Sequence, residues 1–170
     1  MTDIIKSRSL ILRTVTPNDT EAILEVYRAC EDFLALGPAP KASLEMVQQD
    51  LEMSRQDGGN FCGIFNAGGQ LAGIVDFIPA GFDGKTDTAF FTLIMIAASY
   101  RNQGIGNHTV SLVEKEIIKD KHITEIRSAV QVNNPAAIRF WQKNGYCIVS
   151  GPELQPDTTI VFRLSKKMGK

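Results

Sequence analysis

The chain has 170 residues, of which 44% are hydrophobic, and a formal net charge of −1 at pH 7. This length predicts a single domain, residues 1–170, with a substantial buried core. The near-neutral charge gives no electrostatic reason to expect a nucleic acid or an anionic membrane as a partner. No apolar run is long enough to span a bilayer, and the first residues lack the apolar core of a signal peptide.

The first third of the sequence predicts one strand and two helices. Residues 9–14 alternate as in a short strand, and Thr16 followed by Pro17 is typical of a helix N-cap with proline at the first helical position. The apolar face of that helix consists of Ala22, Ile23, Val26, Tyr27 and Cys30. A proline-broken connector, residues 31–41, follows, and its Phe33, Leu34 and Leu36 either cover a site or pack on the core. Ser43 is a suitable cap for a second helix, which we expect to end near Arg55.

The middle of the chain predicts a hairpin, a buried strand and a helix. Residues 61–65 and 71–78 have strand character, and the turn sequence Asn66-Ala-Gly-Gly69 joins them. From residue 90 to residue 98 both faces are apolar apart from Thr92, as in a strand covered on both sides. The segment Arg101-Asn-Gln-Gly104-Ile-Gly106 comes next. It opens a helix whose apolar residues are Ile105, Val110, Leu112, Val113 and Ile117.

This junction of strand, glycine turn and helix directs backbone N–H groups and the positive end of a helix dipole to one point, which suits a phosphate. Two glycines between a strand and a helix are also common in a plain tight turn. Arg101 and Gln103 favour the phosphate site, since they add a charge and a donor. A Walker loop would need Lys-Ser/Thr where Asn107-His108 stands, and a dinucleotide fingerprint would need a glycine at Thr109.

The last third predicts three strands and one helix. Residues 123–130 form a strand, and a helix capped by Asn134, with Pro135 at its first position, ends before Gly145. Residues 146–149 and 159–164 complete the sheet, with residues 151–156 between them as a loop. The predicted order is β-α-α-β-β-β-α-β-α-β-β. Three cysteines, odd in number and far apart, indicate free thiols in a reducing compartment, so we expect a cytoplasmic protein.

Two signatures resemble those of the GNAT superfamily of acyl-CoA-dependent N-acetyltransferases. Arg101-Asn-Gln-Gly104-Ile-Gly106 follows the pattern Arg/Gln-x-x-Gly-x-Gly/Ala, and Asn134-Pro-Ala-Ala137-Ile-Arg-Phe-Trp141-Gln-Lys-Asn-Gly145-Tyr146 follows the second at the correct distance downstream. The resemblance implies an α/β (α+β) fold. In this fold about seven strands form a mixed, mostly antiparallel, twisted sheet that four helices flank.

The resemblance also implies transfer of an acetyl group from acetyl-CoA, as co-substrate, to an amine. The residues that would bind the CoA are Ile94, Ile96, Arg101, Gln103, Gly104, Ile105, Gly106, Asn107 and Asn134. The N–H groups of residues 103–107 would hold the pyrophosphate with help from Arg101, and Asn134 would lie beside the pantetheine while it caps its helix. A bulge in the central strand would turn the N–H of Ile96 toward the thioester carbonyl.

The catalytic residues are unknown from the sequence. The family's usual tyrosine acid is replaced by Trp141, and one of its carboxylate bases by Ala129; Asp76 and Asp87 are the nearest acids in the chain. Water or Tyr146 would then serve as the acid, the thiolate would leave unaided, or the protein would bind acyl-CoA without turnover.

The predicted partners are acetyl-CoA and a small-molecule or peptide amine, with no nucleic acid, no membrane and no metal; a homodimer is left open. His108 and His122 have no partner at a metal-ligand spacing. The resemblance implies that residues 31–41 and 151–156 build the acceptor side of the site. Glu31 and Asp32 would meet a cationic amine, and Phe33 and Leu34 would contact its apolar body.

Overall fold

The protein folds around one eight-stranded sheet, seen in a computed structural model that describes residues 4–169. The strands are β1 (Ile4–Lys6), β2 (Leu10–Thr14), β3 (Asn60–Asn66), β4 (Leu71–Ile78), β5 (Thr88–Ile96), β6 (Glu125–Gln131), β7 (Cys147–Leu154) and β8 (Ile160–Lys167). The helices are α1 (Thr20–Arg28), α2 (Glu31–Leu34), α3 (Leu44–Gln56), α4 (Ile105–Ile117) and α5 (Pro135–Lys143). The strand order is β1-β2-β3-β4-β5-β6-β8-β7, and the pair β5–β6 is parallel while the other neighbours are antiparallel.

The predicted caps begin their helices as expected. The Ser43 hydroxyl accepts from the Met46 N–H at 3.1 Å at the start of α3, and the Asn134 side chain accepts from the Ala137 N–H at 3.1 Å at the start of α5. Each of these bonds satisfies an N–H that the first turn of a helix leaves without a partner. The helix expected to start at Pro17 is a short 3-10 turn there, with Thr16 at its N-cap position, and α1 itself starts at Thr20.

Helices cover both faces of the sheet. One apolar cluster joins β4 and β5 to α1 and α3 and includes Ile23, Tyr27 and Met95. The other joins the opposite face to α4 and α5 and includes Phe91 and Val113. Because β5 is covered on both faces, its sequence is apolar on both, as expected for a central strand.

The predicted fold class is confirmed, with two additional elements and one longer strand. β1 precedes the first predicted strand, and the four-residue helix α2 lies inside the predicted connector. β7 continues to Leu154, so most of the predicted loop at 151–156 is strand. Within residues 4–169 no helix is long and apolar enough to cross a membrane.

The sheet divides at its centre, where β5 and β6 separate. The two strands pair from Thr88 with Glu125 to Phe91 with Ser128, and the Ser128 hydroxyl donates to the Phe91 carbonyl at 3.1 Å. Beyond this point β5 follows β4 while β6 follows β8. The far end of β5 therefore has one open edge, and a cleft begins there.

Candidate active site

A cleft of about 840 Å³ fills the opening between β5 and β6. Thr92–Ile96 of β5 line one wall, and residues 128–131 of β6 line the other. The glycine turn, the first residues of α4 and the connector after α1 complete the lining. The cleft thus brings together segments that are more than 100 residues apart in the sequence.

Backbone groups of Ile94 and Ile96 face this cleft. The Ala97 N–H donates to the Ala72 carbonyl, next to β4, at 2.9 Å. Because bonded and non-bonded pairs alternate along antiparallel strands, the next pair, Ile96 with Gly73, makes no hydrogen bonds between β5 and β4. The Ile96 carbonyl instead accepts from Arg101 Nε at 2.9 Å and from the Cys30 thiol at 3.3 Å. Because alternate residues of a strand bond to opposite sides, the N–H groups of Ile94 and Ile96 both point to the open edge.

The expected bulge lies earlier in β5 than the sequence analysis placed it. The register between β4 and β5 shifts between Asp76 and Phe77, so that Thr92 is the extra residue. The bulge comes directly after the last β5–β6 pair. An extra residue bends its strand, so β5 turns away from β6 at this point. The expected bulge in the stretch from Ile94 to Ile96 is therefore wrong, and the N–H of Ile94 is the first after the bulge that points to the open edge.

The two glycines of the turn have different structural roles. Gly104 has φ of +78°, and a Cβ there would meet nothing within 4 Å, so its surface is open. A Cβ at Gly106 would lie 3.0 Å from the Phe140 ring, so Gly106 lets α4 approach α5 closely. Only Gly104 needs the left-handed backbone conformation that glycine adopts readily.

The turn presents a row of free backbone donors. The first helical bond here runs from the His108 N–H to the Gly104 carbonyl at 3.0 Å. Within the described part of the chain, the N–H groups of residues 103–107 have no hydrogen-bond acceptor. Such a row at the start of a 13-residue helix suits a pyrophosphate, and the open edge of β5 suits the amide-bearing pantetheine. The residues therefore fit CoA.

Of the other residues predicted to bind CoA, Gln103 does not line the cleft, since its side-chain amide donates to the Ser99 carbonyl at 3.4 Å, and Arg101 lines it but is already paired. The Arg101 guanidinium binds the Asp32 carboxylate through two contacts, one of 3.0 Å, and this bond lowers the pKa of Asp32. Asn134 lines the cleft while it caps α5, and Asn107 accepts a bond from Asn144 at 2.9 Å.

The acids considered from the sequence lie outside the cleft. Asp76 is 3% exposed, accepts from the Ser54 hydroxyl at 2.7 Å, and has its pKa raised to about 6, mainly by burial. Asp87 accepts from the Thr88 and Thr124 hydroxyls. The Tyr146 hydroxyl donates to Glu114 at 2.9 Å, and burial raises its pKa, so Tyr146 is a poor proton donor for a group in the cleft. Trp141 lines the cleft and packs against Phe91, Phe140 and Tyr146.

The acceptor side differs from its prediction in two respects. Glu31 is bound to Lys41 and to the Ala42 N–H, and Asp32 to Arg101, so neither carboxylate is free for an amine. The segment beyond the predicted loop, including Thr159 and Val161, lines the cleft in place of residues 151–156. The loop expectation was wrong because those residues continue β7.

Gln131 and Thr159 also line the cleft, and the sequence alone did not single them out. Gln131 is the last residue of β6, the strand parallel to β5. Sites in sheets often form where parallel strands end and diverge, so this position could have been noted. Among the described residues, no group of three or more His, Cys, Asp or Glu is placed to hold a metal ion.

Solved structures with this fold include three acetyltransferases. One, from Thermus thermophilus, has a TM-score of 0.78 at 22% identity, over 94% of this chain and 97% of that one. A spermidine N-acetyltransferase from Vibrio cholerae, in complex with CoA and spermine, has a TM-score of 0.72 at 17% identity, over 93% and 95%. One from Salmonella typhimurium that modifies the N-terminal serine of ribosomal protein L7/L12 has a TM-score of 0.78 at 17% identity, over 98% and 99%.

At these identities the structural likeness establishes the fold alone. A comparison with curated proteins finds no match. The family model described as "Acetyltransferase (GNAT) family" matches residues 20–146, which is well over half of the chain and includes both walls of the cleft. The chain is therefore an acyltransferase that belongs to the GNAT acetyltransferase family.

Proposed function

We propose that this enzyme moves an acetyl group from acetyl-CoA to a primary amine by direct attack. One observation carries the proposal. The free N–H row at residues 103–107 and the open edge of β5 meet in a single cleft, which the connector, the end of β6 and the start of β8 also line. A donor molecule held along the first part would have its reactive end at the place where β5 and β6 separate.

The binding of CoA is assigned to backbone groups more than to side chains. The N–H groups of residues 103–107 would hold the pyrophosphate, and the Ile96 N–H would bond to the pantetheine. The Ile96 carbonyl is occupied by Arg101 and Cys30, so the acceptor for a pantetheine N–H would be the Ile94 carbonyl. Gly104 is needed because any side chain there would stand in the space of the phosphates.

Acetyl-CoA supplies an activated thioester when it is bound. The Ile94 N–H, directly after the bulge, would donate to the carbonyl oxygen on which negative charge develops. One such donor is worth about 3 kcal/mol in the transition state. Trp141 has no acidic hydroxyl, so its role is to pack the floor of the cleft beside Phe91.

One alternative has a specific observation in its favour. Asp76 and Asp87, the carboxylates considered for catalysis, lie outside the cleft, and Tyr146 is bound to Glu114. A binding or regulatory module for acyl-CoA would need no such groups. The enzyme is the better proposal because a neutral amine can react without a carboxylate base.

Thiol release from acetyl-CoA, measured over a panel of amines, tests the proposal. The panel should contain spermidine, kanamycin, lysine and short peptides with free N-termini. We expect turnover with at least one amine and acetyl-CoA binding in calorimetry. Binding without turnover of any panel member would favour the module instead, and the absence of binding would reject both.

The proposed place of action is the cytoplasm. Cys30 is a buried free thiol, and Cys147 is an exposed one. Free thiols persist in a reducing compartment, which supports this location.

A further inference from the structure

The acceptor side of the cleft continues into a second cavity of about 350 Å³. Leu36, Gly37 and Pro38 of the connector line one side of it, and Thr158, Thr159 and Ile160 line the other. Leu36 and Thr159 line both cavities, so the two spaces share a border. The Asn133 amide donates to the Leu36 carbonyl at 3.1 Å and ties the connector to the end of β6. A long acceptor that passed from the β5–β6 opening into this space would run between the connector and the start of β8.

This path carries no charge. The residues that line the second cavity are all uncharged. The ionisable side chains at the main cleft are Cys30, Asp32, Tyr100, Arg101 and Lys143. Asp32 and Arg101 bind each other, and Lys143 lies on α5, near the glycine turn. No unpaired carboxylate among the described lining residues is therefore available to hold an ammonium group.

An uncharged lining selects the protonation state of its ligand. An ammonium group that enters such a space loses its hydration without gaining an opposite charge, which disfavours the charged form. The acceptor therefore enters as the free amine. The α-amino group of a peptide has a pKa near 8, so roughly a quarter is neutral at pH 7.5, whereas a lysine-type amine is neutral on the order of one part in a thousand.

One lining side chain has an unused acceptor. Gln131 lines the main cleft, and its Oε1 atom is buried without a hydrogen-bond partner among the described residues. A buried acceptor without a donor is costly, and such atoms in native proteins are rare. An N–H group of the ligand would satisfy it after a turn of the side chain has brought the buried oxygen to the surface of the cleft. A peptide provides one at the first peptide bond, next to its α-amino group.

We propose that the acceptor is the N-terminal α-amino group of a peptide with uncharged first residues, whose first peptide N–H donates to Gln131 Oε1. This inference rests on the proposed function. The reaction then balances without an added base: the nitrogen lone pair forms the C–N bond, the C–S bond breaks, and one amine proton passes, directly or through water, to the sulfur. The products are an N-acetyl peptide and the free thiol of CoA.

The test compares a tetrapeptide amide of Ser, Ala and Leu with the same peptide N-methylated at its second residue, which removes the donor. Spermidine serves as the polycation. In the wild type we expect the unmethylated peptide to exceed spermidine about a hundredfold or more in kcat/KM, and methylation to raise the peptide KM about tenfold. In Gln131→Leu the methylation effect should fall below about twofold, because the coupled pair is already broken.

The matched control is Gln48→Leu, because Gln48 is an exposed residue of α3. This variant should keep the full methylation effect. The KM for acetyl-CoA should stay constant throughout. A preference for spermidine, or the same methylation effect in the wild type and Gln131→Leu, would overturn the inference while leaving N-acetyl transfer intact. The wild-type comparison of the two peptides stands even if the variant fails to fold. Failure of the proposed function is distinct, since no amine at all would then react.

Discussion

Arg101 and Asp32 form a two-contact ion pair that joins the connector after α1 to the segment before the glycine turn. Arg101 also donates from Nε to the Ile96 carbonyl at 2.9 Å, so one side chain links α2, β5 and the turn. Arg101 thus bonds to two segments that border the cleft, and the Asp32 carboxylate already balances its positive charge.

Asp32→Asn should free this charge without removing the arginine. We expect acetyl-CoA to bind about fivefold more tightly, since one screened charge pair is worth about 1 kcal/mol. The acceptor KM should not change. Calorimetry and steady-state kinetics measure the two effects. Glu31→Gln is the matched control, because Glu31 binds Lys41 and leaves the Arg101 pair intact. An acceptor KM that rose about tenfold in Asp32→Asn alone would make Asp32 the partner of the amine after all.

Gly104→Val should raise the dissociation constant of acetyl-CoA at least tenfold, because a side chain would project into the open space where the phosphates are proposed to bind. Gly69→Val is a close control. Gly69 has the same φ of +78° and equally open surroundings, but it lies in the β3–β4 hairpin. Both variants should lose similar stability through backbone strain. Equal acetyl-CoA affinities in the two variants would show that the turn does not hold the phosphates.

Trp141→Phe should keep most of the activity. Trp141 is 5% exposed and packs against three aromatic rings, so the change should lower the melting temperature by a few degrees through lost packing. The turnover rate should stay within about threefold of the wild-type value, since an indole N–H is no useful acid. A turnover rate about a hundredfold lower, with the acetyl-CoA affinity and the fold intact, would instead assign the indole a part in the chemistry.

Asp76 should make the protein less stable as the pH rises. Burial raises its pKa from 3.8 to about 6, so the folded state binds more protons than the unfolded state between these values. The stabilisation is complete below about pH 4 and is lost as the pH rises through 6, by at most about 3 kcal/mol. Asp76→Asn should flatten this part of the urea-unfolding profile.

The exposed Asp83→Asn should leave that profile unchanged. Activity should survive in Asp76→Asn, because Asp76 lies outside the residues that line the cleft. A large loss of turnover with normal folding would identify Asp76 as the missing base.

Local chemistry explains which parts of the site the sequence could predict. The strand, turn and helix around Gly104, and the caps at Ser43 and Asn134, depend on neighbouring residues only, so periodicity and spacing were sufficient. The ion pair of Arg101 with Asp32 spans 69 positions and required the folded chain. The bond from Tyr146 to Glu114 spans 32 positions and likewise left no local signal.

Other features depend on how strands meet. The bulge at Thr92 compensates for the departure of β5 from β6, and nothing in an apolar strand sequence marks one residue as the extra one. β1 is three residues long, too short for a periodic pattern. Gln131 is one amide among several in the sequence, and only its buried oxygen beside the cleft distinguishes it.

The short parallel ladder between β5 and β6 also has a mechanical consequence. Four residue pairs, from Thr88 with Glu125 to Phe91 with Ser128, connect the half of the sheet that contains β1–β5 to the half that contains β6–β8. The contact of Trp141 with Phe91 and the bond from Tyr146 to Glu114 also cross this joint. The width of the cleft is therefore set by the packing of α4 and α5 as well as by the four strand pairs.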